Sequence, residues 1–439
     1  MTTPFASHSR IAPPGRTLSP ADAAGLVDEA VAPADFQNQR VLIIVPDGTR
    51  TAPLGPVFRR LFERIGAVTR AFDVMIALGT HQPMTEDAIL QRLEISRAER
   101  DSIYRNVQLL NHQWDNTSQL ALVGTLSEQD TNEITGGLFS MEVPVHINRA
   151  ALDYDALFII GPVFPHEVVG FSGGNKYLFP GIAGPQILNF FHWLGAVLTT
   201  PKIIGNAINP VRQVVDRAAA LLKKPKFNFA LVVEKHGLAG LFFGTPEQAW
   251  RSAVELSRQK HIVYKDHPYH TILAQAPVMY DEIWTAGKCM YKLEPVLADG
   301  GELIIYAPHI TEFSVTHGKH IEEVGYHCRD FFLKQWDKFR DRPWGVLAHG
   351  THVFGLGQYD ENVEKPRARV TLATSIPQDR CLTVNLGYRD PASLNPSDFM
   401  NREHKGILFV PNAGETLFRL QNPPAWALPD PSPTGQGAP

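Results

Sequence analysis

Val41-Leu42-Ile43-Ile44-Val45 runs straight into Pro46-Asp47-Gly48-Thr49-Arg50, an apolar, β-branched run that ends in a polar turn. The pattern recurs. Phe72 to Leu78 leads into Gly79-Thr80-His81, and Ala156 to Ile160 leads into Gly161-Pro162-Val163-Phe164-Pro165-His166. Runs that are apolar at every position, rather than at alternate ones, predict strands buried on both faces, as in a parallel sheet covered by helices. Helical stretches fall between them: Pro56 to Ile65, and Pro210 to Leu222 with Asn209 placed as a cap and Pro210 at the first position. In open sheets of this kind ligands collect at the carboxyl ends of strands, so these three loops are the first places to look for chemistry.

The pattern restarts near residues 261–270, after a helical stretch from Glu247 to Lys260. A strand at Thr271 to Ala276, a helix over Asp281 to Ala298, a strand at Glu302 to Tyr306 and a long amphipathic stretch from Glu322 to Phe339 predict a second, smaller domain. The expected fold class is therefore α/β: two α/β domains with mostly parallel sheets and the active site in the cleft between them. The expected division is an N-terminal domain over 1–265, rejoined by about 406–420, a C-terminal domain over 266–405, and a Pro-rich tail over 421–439. A length of 439 residues suits two such cores.

Composition narrows the function. A hydrophobic fraction of 44% with 20% charged residues is that of a soluble globular protein. A net charge of -4 argues against a general nucleic-acid partner. No stretch approaches the roughly 20 apolar residues of a membrane helix, and Met1 to Arg16 lacks the apolar core of a signal peptide. Cys289, Cys328 and Cys381 form neither a disulfide framework nor a CxxC pair. A reducing, cytoplasmic setting is expected.

The densest chemistry lies in His166-Glu167-Val168-Val169-Gly170-Phe171-Ser172-Gly173-Gly174-Asn175-Lys176, followed by Asn189-Phe190-Phe191-His192-Trp193. Gly173 and Gly174 let the backbone approach an anion, and Lys176 offers an electrostatic partner or a nucleophile. The spacing is not that of a Walker loop, and a tight turn with a surface lysine reads the segment equally well. His166 precedes Lys176 by ten residues and His192 follows it by sixteen; with His81 they supply imidazoles suited to metal binding or to acid–base work. Asp47-Gly48-Thr49-Arg50 offers a cation for a carboxylate or phosphate, or simply an Asx turn with a surface arginine. His349 and His352 have HxxH spacing without an evident third ligand, and Cys289 reads as a packing residue.

Together DGTR after the first strand, GTHQPMT after the second, PHEVVGFSGGNKYLFPGIAG and NFFHW resemble the lactate racemase family, the nickel-pincer-nucleotide-dependent 2-hydroxyacid racemases and epimerases. Trp284-Thr285-Ala286-Gly287-Lys288 is similar to that family as well, and the resemblance spans roughly residues 40 to 415. It implies a nickel pincer nucleotide (a pyridinium-3-thioamide-5-thiocarboxylate mononucleotide) covalently held at Lys176, with His192 as the protein ligand to nickel. Asp47, Gly48, Thr49, Ser172, Gly173 and Gly174 would hold the nucleotide. His81 and His166 would be the two catalytic bases, on opposite sides of the substrate, and Arg50 and Lys288 would hold or polarise the 2-hydroxy acid.

The implied reaction takes hydride and a proton from the substrate, passes through a planar 2-keto acid and returns both on the other face. Lactate-acting relatives commonly carry Gln where Thr285 stands, which with Trp284 and Tyr280 points to a substrate larger than lactate. The alternatives are a zinc-dependent hydrolase using His81, His166 and His192, and a non-catalytic carrier of the nucleotide. The expected partner is a small 2-hydroxy acid, with no nucleic acid and no membrane.

Overall fold

Arg40–Pro46 is a strand whose residues Val41 to Val45 are wholly buried, paired in parallel with Ala71–Ala77 on one side and Ala156–Pro162 on the other. The computed structural model to which it belongs describes residues 6–49, 51–235 and 237–428. Val41, Ile43 and Val45 share one core with Val57, Phe58, Leu61 and Ile65 of the helix Gly55–Ile65. Leu42 and Ile44 point to the other face and are equally buried. Both faces are covered, which is why the run is apolar at every position.

The seven strands of this sheet run in the order His8–Ile11, Gly237–Gly244, Lys226–Glu234, Ala156–Pro162, Arg40–Pro46, Ala71–Ala77, Leu109–Asn111. All neighbours are parallel except the first two pairs. A second sheet is parallel throughout, in the order Gly387–Tyr388, Arg369–Thr374, Leu297–Ala307, Tyr269–Gln275, Ile407–Val410. Leu273, Ile304 and Ala373 form its inner core.

The chain divides into two compact units. The first holds the chain up to Phe164 with Ser172–Leu188 and Arg212–Lys260; the second holds Pro165–Phe171, Asn189–Val211 and the chain from His261. Two short segments expected in the first domain, carrying His166 and His192, thus belong to the second unit. The return of 406–420 to the first domain is also not what the chain does. Ile407–Val410 pairs with Tyr269–Gln275, and Leu417–Leu420 pairs with Ile262–Lys265. An apolar strand at the sequence's end carries no mark of which sheet it will extend.

Two predicted helices are broken. Asp281 to Ala298 forms Ile283–Ala286 and Lys288–Leu293, then a single 3-10 turn at Glu294–Val296 where Pro295 lacks the N–H to continue. Glu322 to Phe339 becomes the end of Gly318–Val324, then Arg329–Lys334 and Trp336–Phe339, with Gly325 at φ +73° as the first break. Of the expected tail, Ala425–Ala427 forms a 3-10 turn and Trp426 lies under the Arg367 guanidinium at 4.2 Å. No helix among the described residues is long and apolar enough to cross a membrane.

His112 shows how the first unit fixes its loops. The ring is 1% exposed, bonds the Ala183 carbonyl through Nε2 at 3.0 Å, and accepts the Asn148 amide at Nδ1 at 3.2 Å. Burial lowers its pKa from 6.5 to about 4, against the smaller opposing pull of the Ala183 carbonyl. A depressed folded-state pKa means that the unfolded chain binds the proton first, so stability present above pH 6.5 is lost as pH falls toward 4. Urea unfolding at pH 7 and pH 5 should show the wild type losing about 2 kcal/mol more than His112→Gln over that interval. Equal losses in the two proteins would remove His112 from the account.

Candidate active site

The loop that carries Lys176 is built from the end of Ala156–Pro162. Ser172 donates its hydroxyl to the Pro162 carbonyl at 3.2 Å and accepts the Phe164 N–H at 2.9 Å. The Ser172 N–H returns to the Phe164 carbonyl at 2.8 Å, and the Trp250 indole N–H donates to the Ser172 carbonyl at 2.8 Å. Gly173 has φ +88°, and a Cβ there would lie 2.6 Å from Val163 Cγ2, so only glycine completes the turn.

Asn175 donates its amide to Asp216 at 3.0 Å and to Glu247 at 2.6 Å. Arg212 stacks on Trp250 at 4.0 Å and donates to the Gly173 carbonyl at 3.3 Å; its burial lowers its pKa to about 10. Lys176 sits half-buried on the 3-10 turn Gly174–Tyr177, and the Tyr177 hydroxyl reaches the Pro162 carbonyl at 3.2 Å.

His81 belongs to the neighbouring strand end. The Gly79 N–H donates to the Gly181 carbonyl at 2.9 Å, which joins the His81 turn to the loop just past Lys176. His81 Nδ1 is hydrogen-bonded to the Asp47 carboxylate, whose other oxygen accepts both the Thr49 N–H at 3.1 Å and its hydroxyl at 2.7 Å. The Asx turn is therefore present, and it serves to aim a carboxylate at an imidazole. With Nδ1 carrying the proton toward Asp47, Nε2 keeps its lone pair. The sequence assigned Asp47 and Thr49 to the nucleotide. Here they are bonded to each other in the Asx turn, and Asp47 is bonded to His81 as well, a partner 34 residues away that local spacing does not reveal. Arg50 lies outside the described residues.

The second unit holds the remaining candidates. His166 is 5% exposed on Pro165–His166, which pairs antiparallel with Gly170–Phe171. Its Nδ1 accepts the Val168 N–H at 3.2 Å and lies 3.4 Å from the Glu167 carboxylate. A Cβ on Gly170, at φ +81°, would fall 1.8 Å from the Asn206 carbonyl oxygen. His192 is partly exposed on the helix Pro185–Leu198, beside Phe191 at 4.8 Å, while Trp193 is buried and stacks on Trp336 at 5.4 Å.

Thr285 is buried, and partly exposed Trp284 packs against His317 at 4.4 Å and His349 at 4.3 Å. Lys288 is buried, with its ammonium 4.7 Å from the Tyr280 ring. His349, on the helix Trp344–Phe354, bonds the Tyr291 hydroxyl at 3.2 Å and the Tyr326 hydroxyl at 3.3 Å. Burial, then the neighbouring His352, His317 and His192, hold it well below the usual imidazole range. Its place is in a wall behind Trp284. Cys289 donates to the Ala413 carbonyl at 3.5 Å, and burial pushes its thiol up to about 12, too high for a nucleophile.

Sequence reading missed Glu167 and Lys292. Lys292 is fully buried one turn beyond Lys288, and its ammonium donates to the Pro165 carbonyl. The four-residue step from Lys288 was the available signal, since it puts both lysines on one helix face. Among the described residues no group of three or more His, Cys, Asp or Glu side chains is placed to hold a metal ion.

Comparison with known proteins agrees with this picture. Residues 28–203 match the model of the lactate racemase N-terminal domain. The lactate racemase of Thermoanaerobacterium thermosaccharolyticum is 27% identical over 279 residues, 62% of this chain and 60% of the relative; that of Lactiplantibacillus plantarum is 24% identical over 276 residues, with the same coverage. The chain thus spans about three fifths of the length of these curated relatives.

A crystal structure of a protein from Thermotoga maritima superposes with TM-score 0.85 at 35% identity, covering 93% of this chain and 99% of that one. The lactate racemase apoprotein from T. thermosaccharolyticum shares the fold, with TM-score 0.65 at 19% identity over 92% of this chain and 89% of that one. The family model thus identifies residues 28–203 as a lactate racemase N-terminal domain, and the chain shares the fold of a lactate racemase apoprotein.

Proposed function

We propose that this protein interconverts the configurations at C2 of a 2-hydroxy acid, through a 2-keto acid, using a nickel pincer nucleotide attached to Lys176. The observation that carries the reading is the Asp47–His81 pair, a carboxylate-backed imidazole of the kind that serves as a general base. It stands at a strand end, on a turn bonded to the loop of a half-buried lysine. A zinc hydrolase would leave that lysine loop without a task, and a carrier would not need the base.

The residues present fit the group. A Cβ at Gly48 or Gly79 would meet nothing within 4 Å, so there is open space beside the ends of two strands. The Asn175 side-chain carbonyl is buried and has no partner among the described residues. Lys176 would carry the group through its amine, Ser172 to Gly174 and Gly48 would lie along its phosphate, and His192 would give nickel an imidazole nitrogen. Asp47 we assign to His81, since a carboxylate beside a phosphate is repelled. When bound, the group supplies an acceptor for the C2 hydrogen with both its electrons.

The chain's own residues supply the proton chemistry. His81 Nε2 takes the hydroxyl proton as C2 flattens to the ketone. Inversion needs a second group for the other face, and His166 is assigned that part. Lys288, with Arg50, would hold the substrate carboxylate. Asp47 orients His81 and stabilises its imidazolium once the proton arrives.

Thr285, shorter than the glutamine common in lactate-acting relatives, supports a substrate with a side group larger than methyl. Trp284, fixed by His317 and His349, supports the same reading.

Two measurements test these assignments. In Asp47→Asn the turnover number should fall about 100-fold or more in both directions, with KM changed little; activity within a few-fold of wild type would contradict the base assignment. Chiral chromatography across a series of 2-hydroxy acids should give a higher kcat/KM for longer or aromatic side groups than for lactate. Lactate as the best substrate would contradict the pocket reading.

A further inference from the structure

Lys292 is a buried charge that the reaction above does not use. It is 0% exposed on the helix Lys288–Leu293, and its ammonium donates to the carbonyl of Pro165, the residue immediately before His166. Removing an ammonium from water is costly, and a chain keeps one in its interior only where it is well bonded. A leucine or methionine would fill this space without that cost.

What the ammonium bonds is informative. Pro165–His166 and Gly170–Phe171 are two-residue strands joined by a three-residue turn, too little ladder to hold an imidazole steady by itself. The ring is held at Nδ1 by the Val168 N–H. That bond sets its rotation only if the peptide that carries His166 is itself fixed, and Lys292 bonds the carbonyl of that peptide. The same helix face carries Lys288 one turn earlier.

We propose that Lys292 is a positioning residue for His166: its ammonium fixes the Pro165–His166 peptide and so the direction in which His166 Nε2 presents its proton or lone pair. One helix then aligns both the lysine assigned to the substrate carboxylate and the imidazole assigned to the second face. The inference rests on the proposed racemase reading.

The test uses cofactor-loaded full-length protein, with rates expressed per bound nickel. Lys292→Met, of similar length and without donors, should lower kcat at least 10-fold in both directions while KM stays within about threefold. Lys292→Arg, which restores a donor, should recover part of the loss. In ¹⁵N-histidine spectra of the unloaded protein, the His166 ring signals, assigned by their loss in His166→Gln, should move in Lys292→Met and stay in place in a control such as Lys338→Met.

Unchanged kcat per nickel in Lys292→Met with unmoved His166 signals would overturn the inference. So would lower yield and melting temperature with normal kcat per nickel, since that outcome marks a lysine of the fold alone. Should Lys292→Met not fold, Lys292→Arg decides: wild-type kcat with wild-type His166 signals supports a needed donor, and altered signals without loss of kcat overturn it. Failure of the loaded wild type to racemise any 2-hydroxy acid is a separate result that strikes the racemase reading itself, while the ring signals still report on the Lys292 contact.

Discussion

The backbone from which Lys176 projects is fixed by the bracing of the Ser172–Tyr177 loop, and the proposed attachment of a cofactor depends on that. Pro162 contributes its carbonyl to both Ser172 and Tyr177, Trp250 closes on the Ser172 carbonyl, and Asn175 is bonded to two carboxylates below. The Ser172 hydroxyl, the Asn175 amide and the Tyr177 hydroxyl are turned inward to the strand and helices that support the loop. Loops so bonded lose little entropy when a ligand arrives, and a site built this way is preorganised.

The two histidines assigned to the proton steps are held in contrasting ways. His81 gives its Nδ1 proton to a carboxylate, whereas His166 uses Nδ1 to accept a backbone N–H. In their neutral forms the first therefore offers a lone pair at Nε2 and the second a proton there. In a reaction that runs both ways, each of the two would act as base in one direction and as acid in the other, so the rings would exchange protons against different partners.

Much of this was legible in the sequence. The apolar run Val41 to Val45 and its two relatives announced strands buried on both faces, and the polar turns behind them pointed to where a site would lie, because parallel sheets leave their carboxyl ends open. What stayed hidden follows from two physical facts. Periodicity reports that a segment is buried, not against which core, so the placement of Pro165–Phe171, Asn189–Val211 and Ile407–Val410 in the second unit could not be read. Local spacing also says nothing of partners far along the chain, so the Asp47–His81 bond, 34 residues apart, and the Lys292–Pro165 bond, 127 residues apart, emerged only from coordinates. The helix over Asp281 to Ala298 stops short for a simpler reason: Pro295, visible in the sequence, has no N–H with which to continue it.

The account depends above all on Lys176 as the point of attachment and His192 as the grip on nickel. Intact-mass and metal analysis of protein co-produced with the enzymes that make the cofactor addresses both at once. Wild type should carry a covalent adduct of nucleotide mass and one nickel, Lys176→Ala should carry no adduct, and His192→Ala should keep an adduct with depleted nickel. An adduct that persists in Lys176→Ala, or wild type that takes up neither adduct nor nickel, would contradict it.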